Sequence, residues 1–234
     1  MNLQVTEIKH YTESLFRIRT ERPSSFRFTA GEFTMVGMEG TPKRAYSLTS
    51  GPYDDYLEFY SIKVPDGPLT SRLRDIRVGD YLEVSEKTTG TLTLANLELG
   101  GNLWLLATGT GIAPFISILR DPTTYDHFDQ IHVYWSVREA QDLDSYHSFL
   151  EQQPIKYTAT VTQDPTWQGH NKRITTFIRA GQIVPNLEPS EHKIMICGSI
   201  EFNREVAEMF DGWGFSQGTN KRAGNFVQER AFVS

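Results

Sequence analysis

Two patterns of hydrophobic and polar positions divide the chain. Up to about Leu97, apolar and polar side chains alternate in short runs: Leu3 to Tyr11, Leu15 to Arg19, Phe33 to Gly37, Ala45 to Leu48, Tyr56 to Ile62 and Tyr81 to Val84. Period two is the mark of a strand with one buried face. The runs are punctuated by Pro23-Ser24-Ser25, Glu39-Gly40-Thr41-Pro42, Gly51-Pro52 and Pro65-Asp66-Gly67-Pro68, all turn compositions. Regularly spaced short strands predict a closed antiparallel barrel, since closure removes open edges. Leu69 to Asp75 is the one short helix expected here.

From Leu103 the pattern changes to continuous apolar strands alternating with helical stretches. Strands are expected at Leu103 to Ala107, Ile131 to Val137, Ile155 to Val161 and Lys193 to Cys197. Helices are expected at Ile112 to Leu119, Asp142 to Gln152, Ile174 to Arg179 and Glu201 to Trp213, with an edge strand over Asn225 to Val233. Strands apolar on both faces, alternating with helices, predict a parallel sheet covered by helices. The linker falls at Leu97 to Asn102. The fold class is therefore two-domain, β followed by α/β: an antiparallel Greek-key β-barrel over residues 1–98, then a doubly wound parallel α/β domain over residues 99–234.

Composition narrows the chemistry. One cysteine excludes an internal disulfide and a protein-held iron–sulfur cluster, which needs about four ligands. The six histidines are scattered without the spacing of a metal helix, so no metal site is expected. A net charge of −6 argues against nucleic acid as a partner. The polar start Met1-Asn2-Leu3-Gln4 lacks the flanks of a signal peptide. No apolar run approaches the roughly 20 residues of a membrane span. A cytoplasmic protein without a membrane partner is expected, with no demand for more than a monomer. Any redox chemistry has to run through an organic cofactor.

Three stretches carry candidate chemistry. Thr108-Gly109-Thr110-Gly111-Ile112-Ala113-Pro114-Phe115 follows an apolar strand and opens a helix, where paired glycines let backbone approach a pyrophosphate. The usual third glycine of a dinucleotide turn is replaced here by Pro114, and a ligand-free strand-to-helix turn would read the same way. In Arg44-Ala45-Tyr46-Ser47 the arginine offers a fork of donors to phosphate, the tyrosine a flat ring and the serine a hydroxyl. Alternation puts Arg44 and Tyr46 on one side and Ser47 on the other, so one strand face alone does not hold all three. Gly67 to Leu73 forms a turn into a short helix, either an anion cradle or plain capping by Thr70 and Ser71.

Taken together, Arg44 to Ser47, Tyr60 to Val64, Gly67 to Leu73, Thr108 to Phe115, Val137-Arg138, Ile196-Cys197-Gly198-Ser199 and the tail Glu229-Arg230-Ala231-Phe232-Val233 resemble the bacterial ferredoxin/flavodoxin–NADP reductase family, in family order and over essentially the whole chain. The Ala-Phe-Val tail is the most discriminating element. The resemblance implies an FAD-binding barrel followed by an NADP-binding domain, and electron exchange between NADP(H) and ferredoxin or flavodoxin. It implies that Arg44, Ala45, Tyr46 and Ser47 meet the flavin and its phosphate, that Tyr60, Ser61, Ile62 and Val64 line the flavin strand, and that Gly67, Leu69, Thr70 and Ser71 hold the pyrophosphate. Thr110 and Gly111 would lie by the nicotinamide junction, and Ala231 and Phe232 would cover the flavin. Ser47, Cys197 and Ala231 are the residues it places at the reacting atoms.

For the 2′-phosphate, the resemblance points to Arg138 and, in Lys172-Arg173-Ile174-Thr175, to Arg173. A further arginine expected after Thr160-Val161-Thr162 is Gln163 here, which implies a weaker preference for NADP over NAD. Lys43, Lys63, Arg72, Arg74 and Arg77 flank the flavin motifs and offer charge to an acidic carrier. Two other readings share the residues: a reductase of free flavin, quinone or an oxygenase component, and a non-catalytic flavin electron-transfer subunit.

Overall fold

The computed structural model describes residues 1–64 and 66–230. Contacts group them into two units, Met1–Gly90 with Ala113–Asp121, and Thr91–Ile112 with the described residues from Pro122 onward.

In the first unit, β1 (Asn2–His10), β2 (Leu15–Glu21), β3 (Phe33–Gly37), β4 (Arg44–Ser47), β5 (Tyr56–Ile62) and β6 (Tyr81–Thr89) form an antiparallel sheet in the order β4-β3-β6-β1-β2-β5. The two end strands meet: Leu48 bridges Phe59, and the Thr49 amide donates to the Glu58 carbonyl at 2.9 Å, closing the barrel. The β1–β2 turn is set by Thr12, whose Oγ1 accepts from the amides of Ser14 (3.3 Å) and Leu15 (3.0 Å). Leu3, Val5, Phe16, Ile18, Val36, Leu57, Phe59, Leu82 and Val84 fill the interior, as the alternation requires.

β6 runs five residues past its expected end at Val84. Its second half, Ser85 to Thr89, has no apolar alternation to announce it, and it pairs with β3 across a bulge. The Thr34 hydroxyl fills that bulge by donating to the Ser85 carbonyl at 2.8 Å. α1 (Thr70–Arg74) is the expected short helix, with Leu73 in the core.

α2 (Ala113–Leu119) also belongs to this unit. All seven of its residues are buried. Ser117 donates to the Ser50 carbonyl at 2.7 Å and Arg120 to the Thr49 carbonyl at 2.9 Å. A Cβ on Gly51 would lie 2.8 Å from the Arg120 Cβ, so this approach of helix to barrel needs glycine there.

In the second unit, β7 (Asn102–Thr108), β8 (Gln130–Val137), β9 (Lys156–Val161), β10 (His192–Gly198) and β11 (Phe226–Arg230) form a wholly parallel sheet in the order β11-β10-β7-β8-β9. The order reverses at β7 and β10, the doubly wound topology. Trp104, Leu106, Ile194 and Ile196 pack under α4 (Ile174–Arg179) and α5 (Ile200–Gly212) through Phe177, Val206 and Phe210. Leu103, Leu105 and Met195, with opposite parity, are buried as well, so both faces are covered. Ser199 caps α5, its Oγ accepting from the Phe202 amide at 3.2 Å.

The single helix expected over Asp142 to Gln152 is instead a 3₁₀ turn at Ala140–Ser145 followed by α3 (His147–Glu151). The break lies at buried Tyr146, whose φ of −137° and ψ of 2° are not helical. A reciprocal cap between Glu139 and Asp142 starts the turn early, and Asp142, Asp144 and Ser145 provide no continuous apolar stripe. The edge strand expected over Asn225 to Val233 forms at Phe226–Arg230. Residues 231–234 lie outside the described residues.

Candidate functional site

In the first unit, β4 and the carboxyl end of β5 bring Tyr46 and Ser61 together. The Tyr46 Oη lies 3.3 Å from the Ser61 Oγ, and its ring meets Phe59 edge-on at 6.4 Å. Burial pushes the Tyr46 phenol up, opposed by the Ser61 hydrogen bond and the charge of Arg44. Arg44 itself is exposed, and its guanidinium makes only a 3.4 Å contact with the Lys43 carbonyl among the described residues. Its fork of donors therefore suits a phosphate. Ala45 and Ser47 are half-buried on the same strand, opposite Met35 and Phe33. Tyr60 is buried with Tyr11 edge-on at 6.3 Å, and Ile62 is exposed at the strand end.

The segment beyond β5 folds on itself. The Thr70 hydroxyl accepts from the Val64 amide (3.1 Å), the Gly67 amide donates to the Val64 carbonyl (3.0 Å), and the Ser71 amide to the Gly67 carbonyl (3.2 Å). A Cβ on Gly67 would fall 2.4 Å from the Thr70 Oγ1, which explains the glycine. No side chain caps α1, so the plain hydroxyl-cap alternative does not hold: Thr70 braces the loop rather than the helix end. Leu69 is buried in the core.

In the second unit, the turns after β7 and β10 interlock at the point where strand order reverses. A Cβ on Gly111 would lie 2.2 Å from the Cys197 carbonyl oxygen, and one on Gly198 2.1 Å from the Thr108 Oγ1. That hydroxyl accepts from the Ser199 amide at 3.1 Å, and the Trp135 Nε1 donates to the Gly109 carbonyl at 2.8 Å. Gly109 adopts a φ of +52°, while Thr110 is half-buried. Both glycines thus have a structural duty: one provides the turn and the other the close approach of two strand ends.

Cys197 is 2% exposed. Burial and then the Glu229 carboxylate push its thiol well above the usual range, so it is a protonated packing group and no nucleophile. Glu229 stands beside it in register on β11, its Oε2 accepting from the Thr91 amide at 3.0 Å. The sequence reading passed over Glu229 as a site residue; only the pairing of β10 with β11 brings it to Cys197. The expectations for Ala231 and Phe232 fall outside the described residues.

At the far side of this sheet, β8 and β9 end together. The Gln163 amide donates to the Arg138 carbonyl (2.9 Å), the Val161 amide to the His170 carbonyl (2.9 Å), and the Thr160 hydroxyl to the Lys172 carbonyl. These bonds gather Arg138, Gln163, Lys172 and Arg173, all exposed, at the carboxyl edge of the strands. Of the basic residues flanking the flavin motifs, Lys43 pairs with Glu83 at 3.4 Å, and Arg72 and Arg74 donate to the carbonyls of Glu39 and Glu13. Lys63 and Arg77 carry no ion pair among the described residues.

No group of three or more possible metal-ligating side chains forms among the described residues, and no described helix is long and apolar enough to cross a membrane.

Comparison with known proteins gives a concordant picture. Residues 105–208 match the family model of the oxidoreductase NAD-binding domain. The chain is 40% identical to ferredoxin–NADP reductase A of Sorangium cellulosum, covering 98% of this chain and 89% of that one. It is 39% identical to the flavodoxin/ferredoxin–NADP reductase of Rhodobacter capsulatus, covering 98% and 92%. A solved ferredoxin NADP⁺ reductase from Neisseria gonorrhoeae, with bound FAD and NADP, superposes with a TM-score of 0.90 at 29% identity, covering 99% of this chain and 98% of that one.

Proposed function

The chain belongs to the ferredoxin/flavodoxin–NADP reductase family, and from that premise we propose that it is an FAD-dependent oxidoreductase exchanging electrons between NADP(H) and a ferredoxin or flavodoxin. The observation that carries the reading is a likeness to such reductases running through both sheets, at 40% identity over 98% of the chain. When bound, FAD takes up two electrons with a hydride and gives them up one at a time, which is what links a nicotinamide to a one-electron carrier.

The protein's own part is binding and orientation. Arg44 faces solvent with an unspent guanidinium fork, suited to a diphosphate. Tyr46, held by Ser61 and Phe59, offers a ring of fixed orientation, with Ser47 beside it. Tyr60, Ser61, Ile62 and Val64 continue that surface, and the folded segment of Gly67, Leu69, Thr70 and Ser71 brings backbone to it. In the second unit, Thr110, Gly111 and Cys197 form the floor for the nicotinamide. A protonated, buried Cys197 keeps water from that floor without itself reacting. Arg138 and Arg173 hold the 2′-phosphate, and a neutral Gln163 makes the preference for NADP over NAD less strict. The protein works as a monomer in the cytoplasm.

Purified holoprotein, yellow with FAD, is expected to bleach on NADPH addition and recolour when oxidised ferredoxin or flavodoxin follows. A colourless protein that cannot be reconstituted with FAD, or one bleached by NADH but not NADPH, overturns the reading.

A further inference from the structure

Between β9 and α4 the chain makes a loop, Gln163 to Arg173, whose centre is Trp167. The indole is locked from its own loop: the Nε1 donates to the His170 carbonyl at 3.0 Å. The His170 backbone is in turn tied to the end of β9 through the Val161 amide at 2.9 Å. A Cβ on Gly169 would sit 2.7–2.8 Å from three contiguous indole atoms, Nε1, Cε2 and Cζ2. Bare backbone therefore lies against one side of the ring, an approach that only glycine permits. An Asx turn holds the near side of the loop, with the Asp164 Oδ1 accepting from the Thr166 amide (2.8 Å) and hydroxyl (2.6 Å). The result is a half-buried aromatic plane fixed on a surface loop, although its neighbours Gln163, Thr166, Gln168, Gly169 and His170 are exposed.

Three cations gather beside this plane. Arg138, Lys172 and Arg173 are exposed and reach the same edge through the backbone bonds described above. The nearby carboxylates are engaged locally: Asp164 accepts from its own loop and from the Ala140 amide, while Glu139 and Asp142 cap the 3₁₀ turn. A rigid π-face beside three cations complements a flat heteroaromatic ring carrying phosphates. It does not suit an apolar peptide, which would not need the cations.

We propose that Trp167 is a positioning residue for the nicotinamide nucleotide, the platform on which its adenine stacks. This rests on the reductase reading and deepens it. Stacking is blind to the 2′-phosphate, so Trp167 supports NADPH and NADH alike, while Arg138 and Arg173 distinguish them. The missing cation at Gln163 is then offset in affinity by the indole, but not in selectivity.

The test is calorimetric titration of the holoprotein with 2′,5′-ADP and with 5′-ADP, alongside Michaelis constants for NADPH and NADH. Replacing a stacking aromatic costs about 10-fold in affinity on general grounds. Trp167→Leu is expected to weaken both fragments and raise both Michaelis constants by that factor, with kcat unchanged, whereas Trp167→Phe retains most of the binding. Reduced nicotinamide mononucleotide, which has no adenine, is expected to react equally with all three proteins. Wild-type binding of both fragments by Trp167→Leu overturns the proposal and leaves the reductase reading intact. So does a loss confined to 2′,5′-ADP, or an equal loss in Trp167→Phe. A wild-type protein that binds neither fragment and is not bleached by NADPH overturns both.

Discussion

Arg120, just past the end of α2, donates to the Oε1 of Glu58 on β5 at 3.0 Å, and the Glu58 side chain is fully buried. Arg19 donates to the other carboxylate oxygen at 2.6 Å, Arg17 lies 3.5 Å from it, and the Thr49 hydroxyl donates to Oε1 at 2.9 Å. Burial raises the Glu58 carboxyl, but Arg120, Arg17 and Arg19 outweigh it and hold the group below its ordinary value. Glu58→Gln leaves these guanidinium groups short of a counter-charge, and breaking a buried pair in this way costs about 3–5 kcal/mol. A fall of that size in urea stability at pH 7 is expected. Because the folded group titrates lower than the unfolded one, its contribution is complete at neutral pH and fades as acid takes the pH down through the folded value.

Gly111→Ala and Gly109→Ala separate two reasons for a glycine. The first puts a methyl 2.2 Å from the Cys197 carbonyl oxygen, against backbone that has no free direction to move; the second meets nothing within 4 Å but has a φ of +52°. Gly111→Ala is expected to lower stability by about 3 kcal/mol or more, and Gly109→Ala by roughly 1 kcal/mol. Equal thermal shifts in the two variants would refute the interlocked turns.

His132 stacks on Trp104 with centroids 3.9 Å apart and planes 13° from parallel, and Trp104 donates through its Nε1 to the His192 Nδ1 at 3.0 Å. Burial, with Lys156 and His192 nearby, pulls His132 down to about 4. Above pH 6.5 the ring is neutral in both folded and unfolded chains and adds no pH dependence. Between about 6.5 and 4 the unfolded chain takes the proton first, so stability falls as acid is added through that window. Urea midpoints measured from pH 7 to 4.5 should show this slope, and His132→Phe should flatten it.

Arg173→Ala removes a charged donor from the carboxyl edge of the parallel sheet. Hydrogen bonds to charged groups contribute about 1.5–3 kcal/mol, so the Michaelis constant for NADPH is expected to rise at least roughly 10-fold, with NADH unaffected. Equal losses with both nucleotides would show that this residue does not read the extra phosphate.

Much of the fold was legible because burial imposes period two on the barrel strands and unbroken apolar runs on the parallel sheet. Phe33 to Gly37 and Tyr56 to Ile62 coincide with the observed strands, and Ile174 to Arg179 with the observed helix. The second half of β6 was not legible, since Ser85 to Thr89 has no apolar face to show. Neither was the grouping of α2 with the barrel: a helix buried all round has no stripe to point toward a neighbour. The burial of Glu58 was not legible either, since its partners Arg17, Arg19 and Arg120 come from two distant stretches of chain. The candidate site was legible as motifs. The register that joins Cys197 to Glu229 and the loop that fixes Trp167 depend on pairings no linear pattern encodes.

The sealing of Cys197 bears on how the protein ages. Oxidation of a cysteine starts from the thiolate and needs access, and this sulfur has neither. Peroxide treatment followed by mass spectrometry should find sulfoxide on the half-exposed Met38 and Met209 before any added oxygen on Cys197. A flavoprotein that spills electrons onto dioxygen makes peroxide within reach of its own surface. Keeping its lone sulfhydryl under cover spares such an enzyme inactivation through that thiol, so a cysteine-based sensor of the stress has to lie in some other molecule.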